Sequence, residues 1–232
     1  YPALIGLDLG HLELDSLRNL DSVPFEYERE IAQKVHAFGG LLTFSWHQNN
    51  PLTGGTAWDV TSDKVVESIL PGGSQHEKYK QWLDKVADFF NSLKDENGKP
   101  IPVIFRPYHE HTGSWFWWGQ KLCTTRQFVD MWRFTFDYLT KTKNVHNLLF
   151  AYSASGDFKN ASEYLERYPG DDYVDIVGFD YYQYSVEKKQ EFINDVNKKL
   201  TLLENIAGEH GKVPALTEAG FESLPDPSWW TG

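Results

Sequence analysis

The feature that most constrains the fold is a regular alternation of short apolar runs with longer amphipathic segments. A short run that is apolar on both sides is typical of a strand buried in a parallel sheet. The segments between the runs repeat apolar residues at helical spacing and therefore predict helices. The predicted strands span residues 2–7, 41–46, 102–105, 148–152, 175–179 and 214–216. This alternation, without Gly/Ser-rich linkers or internal repeats, predicts a single α/β domain over residues 1–232.

Capping signals place the starts of the helices. Ser22 and Pro24 predict a capped first turn, and the segment from Ser74 to Glu77 has the pattern of a capping box. Thr124 begins a further helix that carries a large apolar face. The other two predicted helices span residues 161–168 and 186–209.

Polar residues follow every predicted strand at its carboxyl end. A (β/α)8 TIM barrel gathers these ends on one face, where its active sites lie. A doubly wound open sheet is the competing architecture, but no G-x-G-x-x-G follows the first strand, and the polar residues are spread over all six strands. The sequence therefore favours the barrel, with two strands fewer than a complete one has.

Composition narrows the possible functions. The net charge of −11, from 22 basic and 33 acidic residues, argues against nucleic acid or an anionic membrane as a partner. No apolar run approaches the roughly 20 residues of a membrane helix. The single cysteine, Cys123, excludes an internal disulfide and a cysteine-rich metal site. Aromatic residues make up 16% of the chain, with nine tryptophans. That is more than packing requires, and flat aromatic faces suit sugar rings.

Two glutamates at strand ends are the candidate catalytic pair. Arg106 and Glu110 follow the buried run 102–105 closely, and Glu218 follows the last predicted strand, 108 residues after Glu110. Charged groups at the end of a buried strand are costly unless they are paired. A lone glutamate there is more often a surface or salt-bridged residue. Two carboxyl groups on one face, however, are what acid-assisted glycoside cleavage requires.

The residues around this pair leave alternatives open. Arg106 either holds a carboxylate ionised or forms a structural salt bridge. His47, His109 and His111 could form a metal cluster with Glu110, but H-E-H lacks the H-E-x-x-H spacing that places two imidazoles on one helix face. A sugar subsite is therefore favoured for His47 and His109, with His111 exposed. A Ser/His/Asp triad has weak support, because no G-x-S-x-G elbow is present.

Aromatic residues beyond the strand ends are either core or cleft. Asp180 is followed by two tyrosines, which either pack in the core or donate hydrogen bonds to a nucleophile and a sugar. Four tryptophans lie on loops that are difficult to bury, so at least two are expected to line a cleft. These residues are Tyr181, Tyr182, Trp58, Trp115, Trp117 and Trp118.

With these residues in view, the chain resembles the family 26 glycoside hydrolases, which are mostly endo-β-1,4-mannanases. The stretch R-P-Y-H-E-H-T-G-S-W-F-W-W-G is similar to the family's acid/base signature, and A-L-T-E-A-G to its nucleophile signature. The segments S-W-H-Q-N-N-P, G-F-D-Y-Y and Y-P-A-L-I-G-L-D-L-G-H-L-E also resemble family landmarks, so the resemblance covers essentially the whole chain.

The resemblance implies a role for each matching position. Glu110 corresponds to the acid/base and Glu218 to the nucleophile. The other matching residues are His109 beside the acid, Tyr182 as a donor to the nucleophile, Asp180 two residues earlier, His47 at the subsite of the attacked sugar, and Trp115 on the leaving-group side. Trp58 and Arg106 complete the expected substrate-binding set.

The resemblance also implies a reaction and a place in the barrel. It implies retaining hydrolysis of β-1,4-mannosidic bonds in mannan, glucomannan or galactomannan, with no metal and no organic cofactor. The alternatives are mixed-linkage β-glucan or β-1,3-xylan as substrate, or sugar binding without turnover. The match places Glu110 on barrel strand four and Glu218 on strand seven. Strands one and eight are therefore expected outside this chain, which is predicted to be monomeric and secreted, periplasmic or at the cell surface, any signal peptide having been removed before Tyr1.

Overall fold

The computed structural model describes residues 3–220 and shows one six-stranded, fully parallel sheet. The strands follow one another across the sheet in chain order. They are β1 Leu4–Asp8, β2 Leu41–Ser45, β3 Val103–Arg106, β4 Leu148–Ser155, β5 Ile176–Asp180 and β6 Val213–Glu218. All six predicted strands are confirmed, with shifts of a few residues at their ends. Tyr1 and Pro2, predicted near the start of the first strand, lie outside the described residues.

The sheet is strongly curled. Arg106 on β3 donates a hydrogen bond to Glu218 on β6, although β4 and β5 lie between them in the sheet. In a flat sheet, three strand spacings would hold these residues about 14 Å apart. The carboxyl ends of the strands therefore converge on the concave face, as in half of a barrel.

Helices alternate with the strands, as predicted. The helices are α1 Phe25–Ala37, α2 Val65–Ile69, α3 His76–Ser92, α4 Thr125–Asp137, α5 Ala161–Leu165 and α6 Lys189–His210. The short helix α2, in the long loop after β2, was not predicted from the sequence. A π-helical turn extends α4 at Tyr138–Thr142, and 3-10 turns lie at Leu12–Leu14, Asp171–Tyr173 and Val186–Lys188. Within residues 3–220, no helix is long and apolar enough to cross a membrane.

Two of the predicted helix caps are wrong, and one start is confirmed in detail. Ser22 has φ 66° and precedes the N-cap of α1, which is Pro24 and makes no side-chain cap. The N-cap of α3 is Gln75, also without a side-chain cap, so the capping-box pattern at residues 74–77 is not used. At α4, Thr124 and Gln127 form a reciprocal capping box that satisfies two otherwise unpaired backbone N–H groups.

Side chains alternate along the strands, so that neighbouring residues point either into the packed core or toward the concave face. Phe44 on β2 pairs in register with Phe105 on β3, and the next pair along is Ser45 with Arg106. The phenylalanines pack edge-to-face against Phe90 on α3, at ring distances of 5.8 and 5.1 Å. Each fully buried phenylalanine stabilises the fold by roughly 1.5–3 kcal/mol. Because neighbouring strand residues point to opposite faces, this packing directs Arg106 to the concave side.

Candidate active site

A cleft of about 520 Å³ lies over the carboxyl ends of the strands. Residues from β1, β2, β3 and β6 line it together, because the sheet curls far enough to bring the first and last strands around one space. The lining side chains include Asp8, Ser45, His47, Trp58, Arg106, Thr217 and Glu218.

Glu218, the last residue of β6, is held by two donors. Its carboxylate accepts hydrogen bonds from Nη2 of Arg106 and from the hydroxyl of Tyr182. Two donors on one carboxylate fix the direction of its oxygens. Both donors had been suggested by the sequence, and the structure places them together on one carboxylate.

Arg106 joins Glu218 to a buried network on β4 and β5. Its Nη1 lies 2.6 Å from Oδ2 of Asp180, and Oδ1 of Asp180 accepts from the hydroxyls of Ser153 at 2.9 Å and Thr217 at 2.7 Å. Although burial lowers the pKa of Arg106, the charges of Asp180 and Glu218 raise it above its ordinary value. Arg106 is thus both a buried salt-bridge partner and a donor in the cleft, so the two alternatives from the sequence coexist.

Ser153 and Thr217 were missed as members of this network. The hydroxyl of Ser153 donates to Asp180, and its oxygen lies 2.7 Å from the hydroxyl oxygen of Thr217. Its position in the strand could have indicated this role, since Ser153 lies two residues before the end of the buried strand β4. Gly178 leaves the space that Thr217 occupies, because a Cβ there would lie 2.4 Å from a methyl group of Thr217.

Glu110 lies in a loop, four residues beyond the end of β3, and not on the strand itself. Both Glu110 and Tyr108 have φ 52°, a left-handed conformation that typically costs about 1–3 kcal/mol per non-glycine residue. The loop is held in this shape at both residues. The backbone N–H of Glu110 donates to the carbonyl of Ser153 at 2.9 Å, and the buried hydroxyl of Tyr108 lies 2.6 Å from that of Thr135.

The carboxyl group of Glu110 lies in an environment that favours its proton. Burial raises its pKa to about 7, and the negative charges of Asp180 and Glu218 act in the same direction. The indole N–H of Trp115 donates to Oε2 at 2.7 Å and opposes this shift. Gly113 makes that contact possible, since a Cβ there would lie within 2.6 Å of three atoms of the Trp115 ring.

Two of the three candidate histidines contact each other, with His47 lining the cleft and His109 buried beside it. Nε2 of His47 lies 3.0 Å from Nε2 of His109, and Nδ1 of His47 lies 2.7 Å from a carboxylate oxygen of Asp8. The expectation that His111 is exposed is wrong. Its ring is fully buried, with centroids 4.8 Å from Phe128 and 4.4 Å from Tyr152. Among residues 3–220, no three His, Cys, Asp or Glu side chains are grouped to hold a metal ion.

Two of the four tryptophans are exposed and two are buried, and of the exposed pair Trp58 lines the cleft. Trp58 is 51% exposed and stacks on His47 at a ring distance of 5.3 Å, and Trp115 is 40% exposed. Trp117 and Trp118 are fully buried, with their indole nitrogens donating to the carbonyls of Gln48 and His109. Tyr181 also turns away from the cleft. It stacks on Phe192 and donates to Asp195 at 3.0 Å.

Known proteins resemble the chain over most of its length. It is 36% identical over 231 residues to a mannan endo-1,4-β-mannosidase from Bifidobacterium adolescentis, a match that covers 95% of this chain and 22% of that protein. A second mannan endo-1,4-β-mannosidase, from Bacillus subtilis, is 29% identical over 95% of this chain and 61% of its own length. This chain therefore spans less than two thirds of either relative.

A similar fold occurs in a solved β-mannanase structure from Bacteroides ovatus. The two superpose with a TM-score of 0.94 at 49% identity, covering 100% of this chain and 66% of the other. The sequence also matches the family model of glycosyl hydrolase family 26 over residues 1–223. By this match, the chain belongs to glycosyl hydrolase family 26.

Proposed function

We propose that the chain hydrolyses β-1,4-mannosidic bonds in mannan, glucomannan or galactomannan with retention of anomeric configuration. The observation that carries the proposal is the contrast between two carboxyl groups of one site. Glu218 is held by two donors, whereas Glu110 has a pKa of about 7. Two carboxyl groups in such different environments can divide the nucleophile and acid roles between them. Membership of the family and the printed activities of the relatives support the same reaction.

In the first step, a carboxylate oxygen of Glu218 attacks the anomeric carbon while the glycosidic bond breaks. Glu110 gives its proton to the departing sugar oxygen, and a covalent glycosyl ester forms on Glu218. In the second step, the ionised Glu110 takes a proton from water as the water oxygen attacks the same carbon. Glu218 leaves as a carboxylate, and Glu110 is protonated again. The sequence of steps needs neither a metal nor an organic cofactor.

The surrounding side chains bind sugar or hold the two glutamates. Arg106 and Tyr182 aim Glu218, and Asp180 fixes Arg106 through a contact of 2.6 Å. We assign the remaining sugar-binding positions to His47, His109, Trp58 and Trp115. The exposed indole faces of Trp58 and Trp115 can stack on the apolar faces of mannose rings.

The proposal includes the context of the domain. We infer a single catalytic domain over residues 1–232 whose complete form is a (β/α)8 barrel. Strands one and eight of that barrel would lie outside this chain, since β1 and β6 bound the sheet of the described residues and a closed barrel pairs every strand on both sides. We propose a monomer that acts on polysaccharide at a secreted, periplasmic or cell-surface location.

Reducing-sugar release from mannan, mixed-linkage β-glucan and β-1,3-xylan, measured in parallel, tests the substrate. Release from mannan at the highest kcat/KM is expected, and preference for another polysaccharide would refute the assignment. No release from any of the three, combined with binding to mannan, would point to a sugar-binding protein without turnover. Proton NMR of the first product formed distinguishes retention from inversion.

A further inference from the structure

A second cluster of titratable groups lies beside Glu218, on the part of the cleft wall that β1 and β2 form. Asp8 ends β1, and its side chain is 8% exposed. Oδ1 accepts from the backbone N–H groups of Gly10 at 2.7 Å and of His47 at 3.3 Å. Oδ2 accepts from the hydroxyl of Ser45 at 2.6 Å and lies 2.7 Å from Nδ1 of His47. Four donors therefore fix both oxygens of this carboxylate.

This arrangement determines which nitrogen of His47 carries a hydrogen. An ionised carboxylate only accepts hydrogen bonds, so Nδ1 of His47 must donate to Asp8. On the other side of the ring, Nε2 faces Nε2 of His109 at 3.0 Å, and one hydrogen is shared in that contact. Asp8 thus holds one edge of the His47 ring, and the opposite edge is coupled to His109.

We propose that Asp8 is a positioning residue that keeps a hydrogen on Nδ1 of His47 and so fixes this ring in the wall of the sugar-binding cleft. The plane of the ring matters, because Trp58 stacks on it with an interplanar angle of 14°. A rotation of His47 would displace Trp58 and break the contact with His109. The inference rests on the proposed function, since it concerns the surface that binds the sugar.

The charges around the ring support the same assignment. The titratable groups that face His47 are Asp8 on β1, Arg106 on β3, His109 after β3, and Glu218 on β6. Burial lowers the pKa of His47, but the hydrogen bond and charge of Asp8 raise it above its ordinary value. Burial, with the positive charges of Arg106 and His47, holds the pKa of His109 well below its ordinary value.

The two histidines consequently form one coupled unit. Below its pKa, His47 is an imidazolium and donates its Nε2 hydrogen to neutral His109. Above that pKa, the lone pair of His47 Nε2 accepts, and the hydrogen bond reverses, with His109 then carrying its hydrogen on Nε2 instead of Nδ1. In both states Nδ1 keeps its hydrogen on Asp8.

Asp8→Asn tests this assignment with a nearly isosteric change. The new amide nitrogen cannot replace Oδ1, because that position faces the backbone N–H groups of Gly10 and His47. It must replace Oδ2 and direct its own N–H at Nδ1 of His47, which then has to give up its hydrogen. Replacing an orienting aspartate by asparagine reverses the histidine tautomer of serine proteases in the same way.

Nitrogen NMR of the histidine-labelled chain reads out the protonation of each ring nitrogen, with His47→Gln assigning the His47 signals. In the unsubstituted chain, Nδ1 of His47 is expected to stay protonated on both sides of the ring's titration. In Asp8→Asn, Nδ1 should be unprotonated, and the pKa of His47 should fall by about 1 unit or more. The kcat/KM on mannan should fall by about 10- to 100-fold, because the ring is displaced.

Asp171→Asn is the matched control, because Asp171 makes the same contact with Nδ1 of His210 at 2.8 Å on the surface. It should alter the signals of His210 alone and leave mannan hydrolysis unchanged. An unprotonated Nδ1 of His47 in the unsubstituted chain would overturn the proposal, even where Asp8→Asn fails to fold. A reversed tautomer with full activity would remove the positioning role. The NMR measurement needs no turnover, so it is independent of the activity assay. If the His47 signals are as expected but the chain cleaves no mannan, the proposed function is refuted.

Discussion

Glu218 and Glu110 belong to one site but to two different kinds of backbone. Glu218 is on β6, whose last residues pair with β5 up to Asp180. Glu110 lies in an irregular loop and has φ 52°. A strand end is fixed by its ladder of hydrogen bonds, whereas the loop needs the separate anchors that Ser153 and Thr135 provide. The ladder therefore fixes the direction of one carboxyl group, and side-chain contacts fix the other.

The electrostatic difference follows from this placement. The strand end brings Glu218 beside donors on β3 and on the loop after β5. The loop brings Glu110 out of water and toward two negative charges, with Trp115 as its one side-chain donor in the described structure. On the proposed function, the surrounding donors, and not the residue type, assign the nucleophile and acid roles.

The largest expected effect separates the two roles directly. Glu218→Ala removes the attacking group, so cleavage of both mannan and an aryl mannoside should fall by about 10³-fold or more. Glu110→Ala should reduce mannan cleavage by a similar factor. It should spare glycosylation by the aryl substrate, whose good leaving group needs no proton. Initial rates of both variants on both substrates provide the measurement.

Azide sharpens the same comparison. It should restore turnover of the aryl substrate by Glu110→Ala, because an anionic nucleophile needs no general base to attack the glycosyl ester. With Glu218→Ala, azide can yield only the glycosyl azide of inverted configuration. Retained aryl activity in Glu218→Ala, with loss in Glu110→Ala, would mean that the assigned roles are reversed.

A smaller effect is expected on the Glu218 side alone. Tyr182→Phe removes the hydroxyl donor and keeps the ring. Loss of a hydrogen bond to a charged group is worth about 1.5–3 kcal/mol, so kcat should fall by about 10- to 100-fold on both substrates. Tyr181→Phe is the matched control, because the neighbouring hydroxyl donates to Asp195. Equal losses in the two variants would contradict the assignment of Tyr182 to the nucleophile.

The sequence predicted those parts of the molecule that follow from a regular alternation of strands and helices. The six strands, five of the helices and the convergence of strand-end residues follow from hydrophobic period and from the geometry of parallel sheets. Glu110 shows where this reasoning stops, since nothing in the pattern distinguishes a strand end from a left-handed loop four residues later. Ser22 and Ser74 show that a capping pattern is a local preference that tertiary packing overrides. His111 was misjudged because a polar residue beside an active site was taken to be exposed.

The pH dependence tests the Glu110 side. On the proposed function, the protonated form of Glu110 is the active acid, and its pKa is about 7. Activity should therefore be present below this value and fall as the pH rises through it. Trp115→Phe removes the donor that lowers this pKa, so the basic limb of the kcat/KM profile should move to higher pH, by less than about 1 unit. Trp58→Phe, which changes an indole without this contact, should leave the limb in place. A shift to lower pH in Trp115→Phe would contradict the assigned hydrogen bond.

The smallest effect on turnover is expected at a buried carboxyl group outside the cleft, that of Glu28 on α1. Its side chain is fully buried, and Oε1 accepts from the amide of Asn19 at 2.8 Å. Burial, together with the negative charge of Asp8, raises the pKa of Glu28 to about 8. Glu28 thus shares a raised pKa with Glu110 but does not line the cleft. A substitution of Glu28 therefore tests whether a raised pKa at a residue outside the catalytic pair affects stability alone.

The sign of the effect follows from proton linkage. The pKa of Glu28 is raised in the folded state, so its contribution to stability is complete below the unfolded value of 4.5 and is lost as the pH rises toward about 8. Over that window this group should lower the free energy of unfolding by about 1 kcal/mol per pH unit. Glu28→Gln keeps the acceptor for Asn19 and should remove that slope, whereas Glu30→Gln, at the surface of the same helix, should not. Urea unfolding at several pH values measures both variants, and an unchanged slope in Glu28→Gln would show that Glu28 is ionised in the folded protein.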